Sequence, residues 1–159
     1  MKEQSQAIRL SQMMQKLDST EEEYEIILEP FYLTELALEE LKKNKILLLN
    51  IEVLTCFVVQ KEKCFAKVIC MYENEKYFLK VLSVDEPMPK PGKAKGYVPM
   101  VCSLFTLKTQ GFSLGDKIEI SIKDLENIDL LSSGTLIAKA FFVKVEEKIA
   151  LQIKKVIYE

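Results

Sequence analysis

Apolar positions along this chain change their period, and the changes divide it into segments. Among residues 4–17, Ile8, Leu10, Met13, Met14 and Leu17 stand between polar residues at loosely helical spacing, with no Gly or Pro to interrupt a helix. Asp18, Ser19 and Thr20, followed by Glu21–Glu23, mark a break with capping character. The pattern predicts an N-terminal helical segment over 1–23 that has little to bury and is either mobile or dependent on a partner. From Tyr24 the period drops to two. Tyr24, Ile26 and Leu28 alternate with Glu25, Ile27 and Glu29 in a strand that Pro30 ends. Residues 33–43 return briefly to a helical stripe of Leu33, Leu36, Ala37 and Leu41. The runs 46–60, 64–73 and 76–84 are short, rich in β-branched and aromatic residues, and separated by charged turns, so they read as strands.

Residues 85–99 hold four of the five prolines and two of the five glycines, a composition that predicts a linker. Beyond it the runs 118–122, 128–131, 135–145 and 148–158 read as strands again, with turns at Gly115-Asp116 and Ser132-Ser133-Gly134. The two halves match at a constant offset of 72: Lys45-Ile46 falls on Lys117-Ile118, Phe65-Ala66-Lys67 on Ile137-Ala138-Lys139, Glu75-Lys76 on Glu147-Lys148, Leu79 on Leu151, and Val84 on Val156. A one-residue slip would invert the buried face of every strand, so a shared register over this length points to a repeat. The expected organisation is a mostly β, α+β chain of two units, 24–84 and 100–159, joined by the linker 85–99. A unit this small is marginal alone and carries unpaired edges. Two copies that clasp across a pseudo-two-fold axis relieve both problems.

Composition narrows the chemistry. The chain has no histidine, which removes the usual general base near neutral pH and the commonest metal ligand. Arg9 is its only arginine, so bidentate phosphate or guanine recognition is poorly served and no nucleic-acid partner is expected. Lys90, Lys93 and Lys95 read as a solvated linker or, less simply, a contact for an acidic surface. Cys56, Cys64, Cys70 and Cys102 form no CxxC pair and read as small buried hydrophobes in a reducing compartment. Asp116, Asp124 and Asp129 lie near turns, where solvated carboxylates are the ordinary case. The N-terminus lacks the apolar core of a secretory signal and no apolar run is long enough for a membrane span, so a cytoplasmic location without membrane insertion is expected.

Residues 114–157 resemble the SpoA domain of flagellar motor switch proteins and their type III secretion counterparts. The resemblance rests on Gly115-Asp116 before a strand, on Gly134-Thr135-Leu136-Ile137-Ala138 at a strand start, and on Leu151-Gln152-Ile153 in the last strand. It covers 103–158 well and 33–84 more weakly. The family often has a Gly-rich step and an Arg where this chain has Ala140 and Gln152. Leu10-Ser11-Gln12 is similar to the peptide with which a flagellar switch protein takes the phosphorylated chemotaxis regulator. The acidic residues that follow it there are replaced by Met13–Lys16, and an unspecific amphipathic helix is the plainer reading.

The resemblance implies two intertwined SpoA-like units, no catalytic site, no metal and no cofactor. It implies assembly into the cytoplasmic ring of a flagellar motor or the sorting platform of a secretion system, at the basal body. The partners it implies are other switch or platform proteins and the stator of the export ATPase, in a homo- or hetero-oligomer. The surface it points to comprises Phe141, Phe142, Val143, Val145 and Ile149, for each of which ordinary core is the plainer reading. Phe141 and Phe142 face opposite ways if both lie in one strand. Leu10, Met13, Met14 and Leu17 form the N-terminal interaction segment. The rival expectations are a secretion chaperone or adaptor of different α+β fold and a PilZ-like β-barrel receptor, the latter lacking its arginine clamp here.

Overall fold

The computed structural model describes residues 21–92 and 95–157. The predicted N-terminal helix, with Leu10, Met13, Met14 and Leu17, lies outside the described residues, except that Glu22 and Glu23 already belong to a strand. The strands are β1 (Glu22–Leu28), β2 (Phe31–Thr34), β3 (Ile46–Ile51), β4 (Thr55–Gln60), β5 (Lys63–Glu73), β6 (Lys76–Val84), β7 (Tyr97–Thr109), β8 (Lys117–Ile120), β9 (Ile128–Ser132), β10 (Thr135–Val145) and β11 (Lys148–Val156). Among the described residues one short helix, α1 (Glu35–Glu39), and a 3-10 turn over Ile122–Leu125 complete the elements. The chain is mostly β, in one antiparallel sheet of order β3-β11-β10-β9-β7-β1-β4-β5-β6-β8, with β2 added against β7. Read from its two ends, this order passes the same kinds of element: an edge strand, a three-stranded meander, then one of the two central strands.

The meanders β4–β5–β6 and β9–β10–β11 are built alike in detail. β5 and β10 begin and end at the offset of the sequence repeat, as do β6 and β11. Each meander has two-residue turns with both residues at positive φ: Lys61-Glu62 and Asn74-Glu75 in the first, Ser133-Gly134 and Glu146-Glu147 in the second. Such turns match the twist of antiparallel strands. The bulge at Lys67/Val68 in β5 recurs at Lys139/Ala140 in β10. Beyond each meander the chain returns alike, with Asp85 N donating to Phe65 O at 3.0 Å and Ile157 N to Ile137 O at 2.8 Å.

The edge strands are exchanged between halves. β3 pairs with β11, and β8 pairs with β6. Leu47 stands opposite Leu151 as Ile118 stands opposite Leu79, so Leu47 and not Ile46 is the structural counterpart of Ile118. The sequence match of Ile46 with Ile118 is therefore displaced by one position. Loops before the meanders differ in length and absorb the slip: a bend over Glu52–Leu54 in one half, the 3-10 turn in the other.

At the centre, β1 and β2 run antiparallel along the whole of β7, from Glu22 opposite Thr109 to Thr34 opposite Tyr97. Pro30, which has no N–H to give, separates them. β7 begins at Tyr97, inside the stretch read as linker; Pro99 sits where β7 is paired on one side only. The helix expected over 33–43 is confined to five residues, capped by Thr34, whose Oγ1 accepts from Ala37 N at 3.0 Å. Leu33 instead joins β2, because ladder bonds to β7 outweigh a helix too short to hold itself. Leu41 is buried, whereas Leu36 is exposed.

One face of the sheet closes over a single core. Ile26, Val58, Val68, Leu79, Met100, Ile128, Leu130, Leu151 and Ile153 all belong to it, drawn from both halves. On the other face a small cluster of Ile27, Phe57, Val59 and Cys64 is covered by Met88 of the 85–96 connection and by Val101. The repeat offset carries Phe57 onto Asp129, which pairs with Lys139.

Candidate functional site

The ends of the two meanders meet in an open groove of about 860 Å³. From the first half come Cys70, Met71 and Tyr72 at the end of β5 and Tyr77 at the start of β6. From the second come Phe142, Val143 and Lys144 of β10 and Ile149 of β11. These are four pairs related by the repeat offset: Cys70 with Phe142, Met71 with Val143, Tyr72 with Lys144, and Tyr77 with Ile149. Val53 of the β3–β4 loop and Leu125 of the 3-10 turn form a fifth such pair. The groove therefore lies where corresponding parts of the two halves face each other.

Its walls are apolar and incompletely covered. Tyr72 is 60% exposed and Val53 49% exposed. Tyr72 and Tyr77 lie opposite one another on the hairpin, their ring centroids 4.7 Å apart and tilted by 50°. Glu52, Glu126, Lys144 and Lys154 are exposed polar members of the lining, and Lys154 Nζ reaches the Glu126 carbonyl at 3.4 Å. The 3-10 turn that brings Ile122 and Leu125 to the groove is held by a local cap. Ser121 N donates to Asp124 Oδ2 at 2.9 Å and Lys123 N to Ser121 Oγ at 3.2 Å.

Four of the five residues expected on a partner surface, Phe141, Phe142, Val143 and Ile149, line this groove; Val145 does not. Phe141 and Phe142 are both half-buried. Phe142 and Ile149 also pack against the main core, so they support the groove from beneath. Met71, Tyr72, Tyr77 and Val53 carry the same surface across the other half. The repeat offset, applied to residues 141–149, points to 69–77 and so to most of them.

The lining of the groove is mostly apolar. Cys70 is its one thiol, and burial pushes that thiol above its usual range, away from the reactive thiolate. Burial likewise pushes up Cys56, Cys64 and Cys102. Asp116, Asp124 and Asp129 serve local structure: Asp116 Oδ2 accepts from Ser113 N at 2.9 Å, Asp124 caps the 3-10 turn, and Asp129 pairs with Lys139. Among the described residues, no group of three or more His, Cys, Asp or Glu gathers as a metal site would require. No described helix is long and apolar enough to cross a membrane. Lys90 and Lys95 of the basic run are exposed on the connection; Lys93 lies outside the described residues. No family model matches the chain, and no curated protein matches it in sequence.

Proposed function

We propose that this chain is a non-enzymatic assembly component of a bacterial flagellar motor switch or type III secretion platform. In this reading residues 24–84 and 100–159 are two SpoA-like units clasped within one chain. The groove between them takes an apolar segment of a partner, the stator of the export ATPase first among the candidates. The observation that carries the reading is the lining of the groove by residues paired through the repeat. Such a site exists only where two like units face each other, and it exposes aromatic and aliphatic side chains ringed by charge, the composition of a protein-binding hot spot. The exchange of edge strands, β3 onto β11 and β8 onto β6, supports the clasp. The SpoA-like positions Gly115, Gly134 and Ala138 support the family through turn and strand-start positions: both glycines sit at positive φ and Ala138 is fully buried.

The test is capture from the native lysate on the intact chain, scored for flagellar or secretion stator components. Met71→Asp and Val143→Asp, made separately, each charge one wall of the groove and should abolish that capture while the circular dichroism spectrum stays that of the wild type. Recovery of a metabolic complex in place of stator components defeats the reading, as does stator capture that both variants retain.

A further inference from the structure

The two edge strands of the sheet are treated differently by the sequence. On β8 the exposed side chains are charged, and they are held by Lys117 to Glu73 at 3.2 Å and Glu119 to Lys76 at 3.6 Å. Charge on an edge is the usual guard against pairing with another strand. β3 has no such guard. Its exposed side chains include Leu48, 66% exposed, and Ile46, 42% exposed. Among the described residues no strand pairs with β3 on the side away from β11.

Among the described residues the backbone of β3 has no ladder partner on that side. Lys45 O accepts from Ile153 N at 2.8 Å, so its carbonyl points to β11. Backbone groups alternate along a strand. Leu47 therefore also turns its N–H and C=O to β11, and Ile46 and Leu48 turn theirs outward. We infer that this edge pairs with β3 of a second copy of the chain, antiparallel about a two-fold axis through Leu47. In that register Ile46 of one copy and Leu48 of the other exchange both backbone bonds and bring their exposed side chains together on the same face. The straight part of the strand suffices, because Asn50 at positive φ ends it.

Charge selects this occupant and this direction. The start of β3 carries Lys42, Lys43 and Lys45. Its far end carries Glu52, and the β10–β11 turn next to it carries Glu146 and Glu147 against Lys148, so this end is acidic on balance. An antiparallel pair sets the basic end of each copy against the acidic end of the other, twice. A parallel pairing would set like charges together. So short an edge buries little area, so the dimer is concentration-dependent. Of the groove lining only Glu52, at its rim, takes part in this pairing, and a monomeric chain leaves the stator reading standing.

The experiment is sedimentation velocity on the full chain over a wide concentration series, with amide exchange followed at Ile46 and Leu48. The wild type should pass from monomer to dimer, and these two outward amides should gain protection as it does. Leu48→Lys should weaken dimerisation at least tenfold while its thermal melt, read as monomer, stays unchanged. Ile46→Lys serves as the second variant. Lys42→Glu with Lys43→Glu should weaken the dimer, and adding Glu52→Lys should restore part of the loss. Glu119→Lys, on the β8 edge, should leave it unaltered. Any of three results overturns the pairing: a monomer at every concentration, a dimer indifferent to Leu48→Lys and Ile46→Lys, or Ile46 and Leu48 amides protected equally at all concentrations. The last would assign the edge to a segment of the same chain.

Discussion

At the scale of single residues, the tight turns are where this sequence is least at ease with its backbone. Glu62 and Glu147 occupy the second position of two-residue turns at φ of 64° and 69°. The left-handed region costs a residue with a Cβ about 1 kcal/mol relative to Gly. The position matching Glu62 holds Gly134, at φ 80°, with open space where its Cβ would lie. Glu62→Gly and Glu147→Gly should therefore each stabilise the fold by about 1 kcal/mol, raising the calorimetric midpoint by about 2–4 °C. Gly134→Ala should cost a similar amount, and a melting point raised by that change would refute the account. The buried thiols set a second, alkaline limit. Burial lifts Cys102 from a usual value near 9 to about 12, and burial first and the neighbouring thiols second lift Cys56 as well. The folded chain keeps these protons where the unfolded chain releases them. Stability is then complete below pH 9 or so and declines toward pH 12, by about 1.4 kcal/mol per pH unit for each such thiol. Tyr24, raised mainly by burial and then by Glu22, adds to the decline at the upper end. Urea midpoints compared at about pH 8 and about pH 10.5 should show the fall, and Cys102→Ala should show a shallower one.

At the scale of elements, the exchanged ladders carry the two halves together. Leu79 and Leu151 occupy matching places in β6 and β11, each opposite an edge strand from the other half, and both are fully buried. Leu79→Ala and Leu151→Ala should each cost about 2–5 kcal/mol, measured by denaturant titration. Leu36→Ala, on exposed α1, should stay within about 0.5 kcal/mol. A Leu151→Ala protein as stable as the wild type would contradict the exchanged pairing. Much of this layer was legible in the sequence: β5, β6, β10 and β11 follow their apolar runs closely, because period-two burial and charged turns leave little choice. β7 was not legible. Met100, Cys102 and Leu104 do alternate into the core, but Pro99 and the preceding Pro- and Gly-rich stretch mask the start of the strand. The helix expected at 33–43 lost Leu33 to a ladder partner far downstream, Val98, which no local pattern reports. The groove was legible by half. Phe141, Phe142, Val143 and Ile149 were readable as an apolar surface, whereas the half built from Met71, Tyr72 and Tyr77 depends on how the meanders come to face each other.

At the scale of the whole molecule, the ladders that cross between the two halves predict how the chain responds to being divided. A cut at 90/91, in the connection between β6 and β7, separates β3 from β11, β8 from β6, and β1 with β2 from β7. In the fragment 1–90, β1 keeps β4 but loses β7, and β2 and β3 lose their ladder partners; in 91–159, β7 keeps β9 but loses β1 and β2, and β8 loses its ladder partner. Each retains a meander with a bare inner face and open edges, which is marginal for so short a chain. The strand order reads alike from both ends, so a second copy of the same fragment can supply what was lost, with β3 docking on β6 of its twin, or β8 on β11. Neither fragment should therefore persist as a folded monomer. Each should be unfolded when dilute and dimeric when concentrated, and an equimolar mixture should settle into the one-to-one complex, whose edges and loops are already matched. Light scattering gives the masses and nuclear magnetic resonance the dispersion. A monomeric fragment of either kind with a well-dispersed spectrum would mean that the exchanged strands add nothing the half-chain cannot supply for itself.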